Sequence, residues 1–169
     1  MKEIKSNFNT AHYRFVNYTD LTDEQSFAVW KERNNPDIRK WMSNAEPFSF
    51  ESHTEYVKSL SEKNDRIYWG VFDKEQLTGS ICLNPFDKDS KEGEVGIYLF
   101  TDILGKGFGL RIEKEFVDYM FLHDLCRKIV AKTLIDNKRY QAINTAIGFK
   151  ITSEDVRYVY MELKKGDKR

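Results

Sequence analysis

Hydrophobic positions recur along this chain with two periods, and the places where one gives way to the other divide it into elements. Residues 13–18 alternate roughly as a strand. Thr22-Asp23-Glu24-Gln25 then has the form of a capping box, with Thr22 as N-cap and Gln25 reaching back, so a helix carrying Phe27 and Trp30 on one face is expected. Asn34-Asn35-Pro36 breaks that helix and restarts a short one with Pro36 at its first position. Ile38, Trp41 and Met42 share a face by the i, i+3, i+4 rule. Ser49 caps a further helix whose stripe is His53, Tyr56, Val57 and Leu60.

From Ile67 the period falls to two. Residues 67–72, 77–86 and 94–100 form three consecutive strands joined by charged loops, the pattern of an antiparallel meander. A glycine-rich turn follows, and then an amphipathic helix over residues 110–122. Ile112, Phe116 and Met120 make its buried stripe, while Arg111, Lys114, Glu115 and Asp118 face water. Residues 128–134 are another strand. Asp136-Asn137 caps a helix with Tyr140, Ile143 and Ile147 on one face, and Gly148 ends it. Two closing strands surround Phe149-Lys150-Ile151 and residues 156–163, and the tail from Lys164 to Arg169 is expected to fray. No repeat or linker interrupts the pattern. The expectation is one α/β domain over residues 1–169: a single mixed, mostly antiparallel sheet with flanking helices and a central strand–GKGFG–helix–strand unit.

Composition narrows the functions. A chain of 169 residues can bury a real core, and 27 basic against 27 acidic side chains give no net charge to draw it to nucleic acid or a membrane. Cys82 and Cys126 lie in apolar stretches without metal-ligand spacing, so they read as core residues and no metal is expected. Met1-Lys2-Glu3-Ile4-Lys5 lacks the apolar stretch of a signal peptide, which makes the cytoplasm the expected location.

The chemistry concentrates at Gly105-Lys106-Gly107-Phe108-Gly109, where a strand hands over to a helix. Glycines there let backbone N–H groups approach an anion, the helix N-terminus adds a favourable dipole, and Lys106 adds positive charge. That describes a pyrophosphate cradle; a merely tight turn is the simpler alternative. A P-loop is excluded because no Ser or Thr hydroxyl follows the lysine. The dinucleotide fingerprint fits poorly, since the next strand ends Lys132-Thr133-Leu134 instead of in an acidic residue.

With these elements in this order, the chain resembles the GNAT superfamily of N-acetyltransferases. Leu104-Gly105-Lys106-Gly107-Phe108-Gly109 is similar to the family's Gln/Arg-x-x-Gly-x-Gly/Ala motif, with Leu104 where Gln or Arg is usual. Glu94-Val95-Gly96-Ile97-Tyr98-Leu99 looks like its splayed strand, and Asn137 ahead of Gly148-Phe149 resembles its Asn…Gly-Phe segment. Arg33-Asn34-Asn35-Pro36, Glu51-Ser52-His53 and Gly79-Ser80 are similar to segments of nucleotide-sugar N-acetyltransferases of the pseudaminic acid pathway; ribosomal-protein-type N-acetyltransferases are also similar.

The resemblance implies acetyl-CoA as co-substrate and a small-molecule amine as acceptor, with a homodimer left open. It assigns the cofactor to Leu104, Gly105, Lys106, Gly107, Phe108, Gly109 and Asn137, and to the main chain of Ile97, Tyr98 and Leu99. The acceptor falls to Arg33, His53 and Tyr98, with Ser80 lining the same site and orienting a water or the amine. Glu94, on one strand face with Gly96 and Tyr98, can serve as general base; as a plain strand glutamate it would simply face water. Asn144 stands where the family carries a proton-donating tyrosine. Tyr140, one turn earlier, is the candidate replacement, or else a core aromatic. Unassisted departure of the thiolate is the expectation, because a thiol of pKa about 8.5 is already a competent leaving group.

Overall fold

The computed structural model describes residues 4–167. Met1 to Glu3 of the expected leaderless N-terminus, and Lys168 and Arg169 of the expected frayed tail, lie outside the described residues. Eight strands make one sheet: β1 (Phe8–Asn9), β2 (Tyr13–Asn17), β3 (Ile67–Asp73), β4 (Gln76–Asp87), β5 (Glu92–Leu99), β6 (Lys128–Leu134), β7 (Lys150–Glu154) and β8 (Tyr158–Lys164). Their spatial order is β1-β2-β3-β4-β5-β6-β8-β7. The meander β3-β4-β5 is antiparallel, as its short polar loops dictate. Among the described residues only β5 and β6 pair in parallel, because a helix carries the chain from the end of one to the start of the other.

Among the described residues five α-helices flank the sheet: α1 (Asp23–Arg33), α2 (Pro36–Arg39), α3 (Phe50–Ser59), α4 (Phe108–Leu122) and α5 (Lys138–Ile147). Alternation along the strands divides the packing. Trp69, Ile81, Leu83, Val95, Ile129 and Met161 join Ile112, Phe116 and Met120 of α4 and Ile147 of α5 in the larger core. On the other face Tyr18, Val29, Leu60 and Phe100 are buried with Tyr56, Tyr68 and Tyr98 packed against them, under α1 and α3. At the start of α1 both halves of the capping box form: the Gln25 amide donates to Thr22 Oγ1 and the Thr22 amide to Gln25 Oε1. Pro36 opens α2, Ser49 caps α3 and Gly148 closes α5 in the left-handed region, each where the sequence pattern puts it.

Several boundaries differ. α4 begins at Phe108, two residues before the expected start, because Gly107 already serves as N-cap. Trp41 and Met42 lie beyond α2, which ends at Arg39. Glu115 does not face water. It accepts from Thr10 Oγ1 and shares a 2.6 Å contact with His12 Nδ1, tying α4 to the loop before β2. The tail is held as far as Asp167: β8 runs to Lys164, the Lys164 amide donates to Asp167 Oδ2, and Lys165 pairs with Asp124 at 2.8 Å. The short β1 had no periodic signal. It is held by its neighbours, Phe8 stacking at 4.5 Å on Phe15 and 4.0 Å on Tyr119.

Candidate active site

β5 and β6 run together only from Glu92↔Lys128 to Val95↔Ala131. Beyond Val95, β5 continues beside β4 alone, with Leu99 opposite Gly79, while β6 follows β8 to Leu134↔Tyr158. A V-shaped opening results, and residues 96–99 carry a strand partner on one edge only. The chain then turns through residues 101–107 into α4. Gly105 and Gly107 sit at φ +83° and +82°, a region L side chains avoid, and an added Cβ at either would meet nothing within 4 Å. The glycines are therefore needed for conformation, and the space above them is open. No side chain caps α4, so its first-turn amides point outward at the positive end of a 15-residue helix dipole. Lys106 Nζ donates to the Asp102 carbonyl at 2.9 Å, which keeps its charge beside the turn. Leu104 is exposed, Phe108 packs on the core, and a Cβ on Gly109 would touch Ile143 of α5 and Leu99 of β5.

The face of β5 that bears Glu94, Gly96 and Tyr98 meets Cys82 and Ser80 of β4 in register. Ser80 is buried, its Oγ 2.5 Å from the Tyr18 hydroxyl, which lies 3.4 Å from the Tyr98 hydroxyl. Tyr98 in turn donates to the Val29 carbonyl at 3.2 Å. Tyr68 accepts from Asn84 at 2.7 Å and from Tyr56 at 3.1 Å. Burial raises the phenols of Tyr18, Tyr68 and Tyr98, the last to about 12, so at neutral pH these three are uncharged donors and acceptors. Arg33 reaches into the same group, where its charge acts on Tyr98, Tyr18 and Tyr68. Its Nη2 donates to the Asn44 carbonyl at 2.9 Å, and its Nη1 is buried without a partner.

Glu94 is half-buried, and desolvation lifts its pKa against the opposing pull of Lys132. A carboxylate placed this way is a stronger base than a solvated one. His53 is 5% exposed, 3.1 Å from Ser26 Oγ, and packed against Tyr18, Phe48 and Phe50. Burial lowers its pKa, so it is a neutral ring behind Tyr18. The structure thus brings Arg33, Ser80, Glu94 and Tyr98 together on one face, with the glycine turn at the rim. Tyr18, Tyr56 and Tyr68 were missed by sequence reasoning. Their signal was faint: hydroxyl-bearing aromatics at positions that an apolar pattern fills equally well.

Residues 15–150 match the model of the acetyltransferase (GNAT) domain. The chain belongs to that family. It is 28% identical over 154 residues to acetyltransferase PseH of Campylobacter jejuni, a match spanning 91% of this chain and 95% of the relative. The crystal structure of C. jejuni N-acetyltransferase PseH in complex with acetyl coenzyme A superposes with a TM-score of 0.75 at 24% identity, over 91% of this chain and 99% of the other. Spermidine N-acetyltransferase from Vibrio cholerae, solved with CoA and spermine, gives 0.81 at 20% identity, covering 92% and 96%. The fold, the glycine turn and the splayed strand are those of an acetyl-CoA-dependent N-acetyltransferase.

The contact between α4 and α5 holds buried polar groups. The Tyr140 hydroxyl donates to Glu113 Oε1 at 2.9 Å, and Glu113 is wholly buried between α4 and α5. Its Oε2 has no partner, and desolvation pushes its pKa up to about 8. Asn144 is equally buried; its Nδ2 donates to the Tyr140 carbonyl at 2.9 Å and its Oδ1 has no partner. Asn137 caps α5, its Oδ1 accepting from the Tyr140 amide at 3.1 Å. Glu113 was overlooked in the sequence. It stands at i−3, i−4 and i−7 from Phe116, Val117 and Met120, so a carboxylate on an apolar stripe was the available signal.

Proposed function

We propose that this GNAT enzyme passes the acetyl group of acetyl-CoA to the primary amine of a nucleotide-linked amino sugar, by direct attack in a ternary complex. The observation that carries the acceptor reading is Arg33, whose buried Nη1–H lacks a partner among uncharged tyrosine hydroxyls. A pocket so built suits an acceptor rich in hydroxyls and bearing phosphate. A polyamine would bring two or more positive charges up to a half-buried guanidinium, which costs Coulomb energy.

The geometry supports the following roles. Amides of residues 105–109 hold the pyrophosphate of acetyl-CoA. The one-sided main chain of Ile97, Tyr98 and Leu99 pairs with the pantetheine arm, and Asn137 contacts it from α5. An N–H of the same strand stabilises the oxyanion as the amine adds to the thioester carbonyl. Glu94 takes the ammonium proton beforehand, directly or through water. Ser80, held by Tyr18, orients that water or the amine, Arg33 and Tyr98 grip the acceptor, and His53 backs Tyr18.

The test is release of CoA thiol from acetyl-CoA with three acceptors supplied separately: a nucleotide-linked amino sugar, spermidine and a peptide with a free N-terminus. The sugar nucleotide should give the highest kcat/KM. Arg33→Ala should raise its KM about 30-fold, about 2 kcal/mol, and leave the KM for acetyl-CoA unchanged. Preference for spermidine or the peptide overturns the acceptor assignment. Acetyl-CoA binding without turnover of any amine makes the protein a CoA-binding sensor.

A further inference from the structure

We propose that Arg39 and Arg157 join Arg33 in a cationic site for the acceptor's phosphates, built around Ser43-Asn44-Ala45 where that segment crosses the mouth of the β5–β6 opening. The inference rests on the reading of the acceptor as phosphate-bearing, and adds to it two arginines and the segment they hold.

Contacts at both ends place the segment. On the β5 arm the Tyr98 hydroxyl donates to the Val29 carbonyl, and the Thr101 amide donates to Glu32 Oε2 at 2.9 Å. These two bonds hold the last turn of α1, and Arg33 with it, against the free end of β5. On the β6 arm Leu134 is paired with Tyr158, so Arg157 stands at the far end of β6. Its Cζ lies 5.1 Å from the centre of the Tyr158 ring, and Lys132 Nζ lies 4.2 Å from the same ring. Because β5 and β6 are parallel, these are the same end of the opening, and strand alternation puts Tyr98, Lys132 and Tyr158 on one face of the sheet. Residues 43–45 bridge the two arms. Arg33 Nη2 donates to the Asn44 carbonyl at 2.9 Å, Arg39 Nη1 to the Ala45 carbonyl at 2.8 Å, and Arg157 Nη2 to the Ser43 carbonyl at 3.2 Å.

This latch is short of negative charge. Consecutive Cα atoms are about 3.8 Å apart, so three guanidinium groups gather round a very short stretch of chain. All three bond to neutral carbonyls, and among the described residues none pairs with a carboxylate. The acids nearest them in sequence are engaged elsewhere. Glu32 accepts from Thr101, Asp37 pairs with Lys40 at 2.9 Å, and Asp155 accepts from the amides of Arg157 and Tyr158 and from the Tyr160 hydroxyl. Two donors stay unused, Arg33 Nη1 and Arg39 Nε, both buried. Buried N–H groups without acceptors cost stability until a ligand supplies the acceptor. Phosphate meets that need, because its oxygens are ionised and a guanidinium can engage two of them side by side, where a carbonyl offers one neutral oxygen. Residues 43–45 are exposed, so the segment is free to yield its carbonyl bonds to such a ligand.

The test saturates the protein with acetyl-CoA, so that the glycine turn is filled, and then titrates inorganic pyrophosphate and UDP by calorimetry. Both should bind. Arg39→Gln and Arg157→Gln should each weaken them about tenfold while acetyl-CoA affinity holds. Glutamine keeps a donor for the loop carbonyl and removes the charge, so a mere tether would survive the change; Arg157→Lys, which restores charge, should recover part of the loss. Arg157 is exposed, so its variants keep the fold. With a nucleotide-linked amino sugar as acceptor, the two glutamine variants should raise its KM about tenfold and leave kcat nearly unchanged. No binding of pyrophosphate or UDP to the wild type, affinities within about threefold of wild type in both glutamine variants, or turnover of a sugar nucleotide whose KM ignores both changes overturns the proposal. Pyrophosphate binding that depends on Arg39 and Arg157, in an enzyme that prefers spermidine or a peptide, sustains the three-arginine phosphate site and overturns the acceptor reading of the preceding section instead.

Discussion

Toward α4 and α5 the strands present Trp69, Ile81, Leu83, Val95 and Ile129; the intervening residues that face α1 and α3 include Tyr68, Ser80, Cys82, Glu94 and Tyr98. Both faces are largely buried, so burial does not separate them. Partnering does. The first face is apolar apart from Glu113, Thr133 and Asn144 and is held by packing. The second buries hydroxyls that satisfy one another: Ser80 with Tyr18, Tyr56 with Tyr68, Tyr98 with the Val29 carbonyl. Neutral, mutually bonded hydroxyls are inexpensive to bury and can re-aim toward a ligand, whereas an apolar face offers stability alone. Unsatisfied polar atoms are buried on both sides, Arg33 Nη1 on one and Glu113 Oε2 and Asn144 Oδ1 on the other.

The sharpest way to break this contrast is to damage each face and read stability and activity separately. Phe116→Ala, in the centre of the apolar face, should cost about 3–5 kcal/mol in a denaturant titration, with kcat of the folded fraction unchanged. An equal loss of kcat would mean that the apolar face also tunes the site. On the opposite face Glu94→Gln should leave the denaturation midpoint nearly fixed and cut kcat/KM about 100-fold or more. Because burial raises the Glu94 pKa, the acidic limb of the wild-type rate profile should lie above the ordinary carboxylate range, and the glutamine variant should lack it. A next smaller effect is expected at the rim. Valine at Gly107 must adopt a φ of +82°, and its branches would intrude on the open space above the turn, so acetyl-CoA affinity by calorimetry should fall by about 2 kcal/mol. Unchanged affinity in a folded Gly107→Val protein would reduce the turn to a plain connection.

The smallest effect concerns His53. Its folded-state pKa is depressed by burial, so the unfolded chain takes up a proton that the folded one resists. The stability this group allows is complete above about pH 6.5, the unfolded value, and declines as pH falls toward the folded value. His53→Gln should flatten that acid dependence and change little at pH 8; a variant as acid-sensitive as the wild type would place the effect elsewhere.

Legibility in the sequence followed the range of the interactions. Thr22 with Gln25, Pro36, Ser49 and Gly148 declared themselves because capping and termination are settled within four residues. The turn at residues 105–109 was legible for the same reason, since left-handed backbone favours glycine and two of its glycines adopt it. Glu115 was misread as facing water because its partners, Thr10 and His12, are more than one hundred residues away in the chain. β1 escaped because two residues carry no period, and only Phe15 and Tyr119 make Phe8 worth burying.

The sequence by itself determined the alternation that gives the sheet its two faces, the helix ends, and a glycine-rich entrance to α4 fit for an anion. It also placed Glu94, Gly96 and Tyr98 on one side of β5. Only the tertiary structure decided what those side chains are. Register brought Ser80 opposite Tyr98 and carried Tyr18 over both. The crossover through α4 set where β5 and β6 part, and helix packing made Glu113 a buried carboxyl group that accepts from Tyr140, its pKa raised by desolvation. The physical reason is that a carboxyl group's proton affinity and a hydroxyl's partner depend on the local dielectric and on groups distant in sequence, and neither exists until the chain has closed around them.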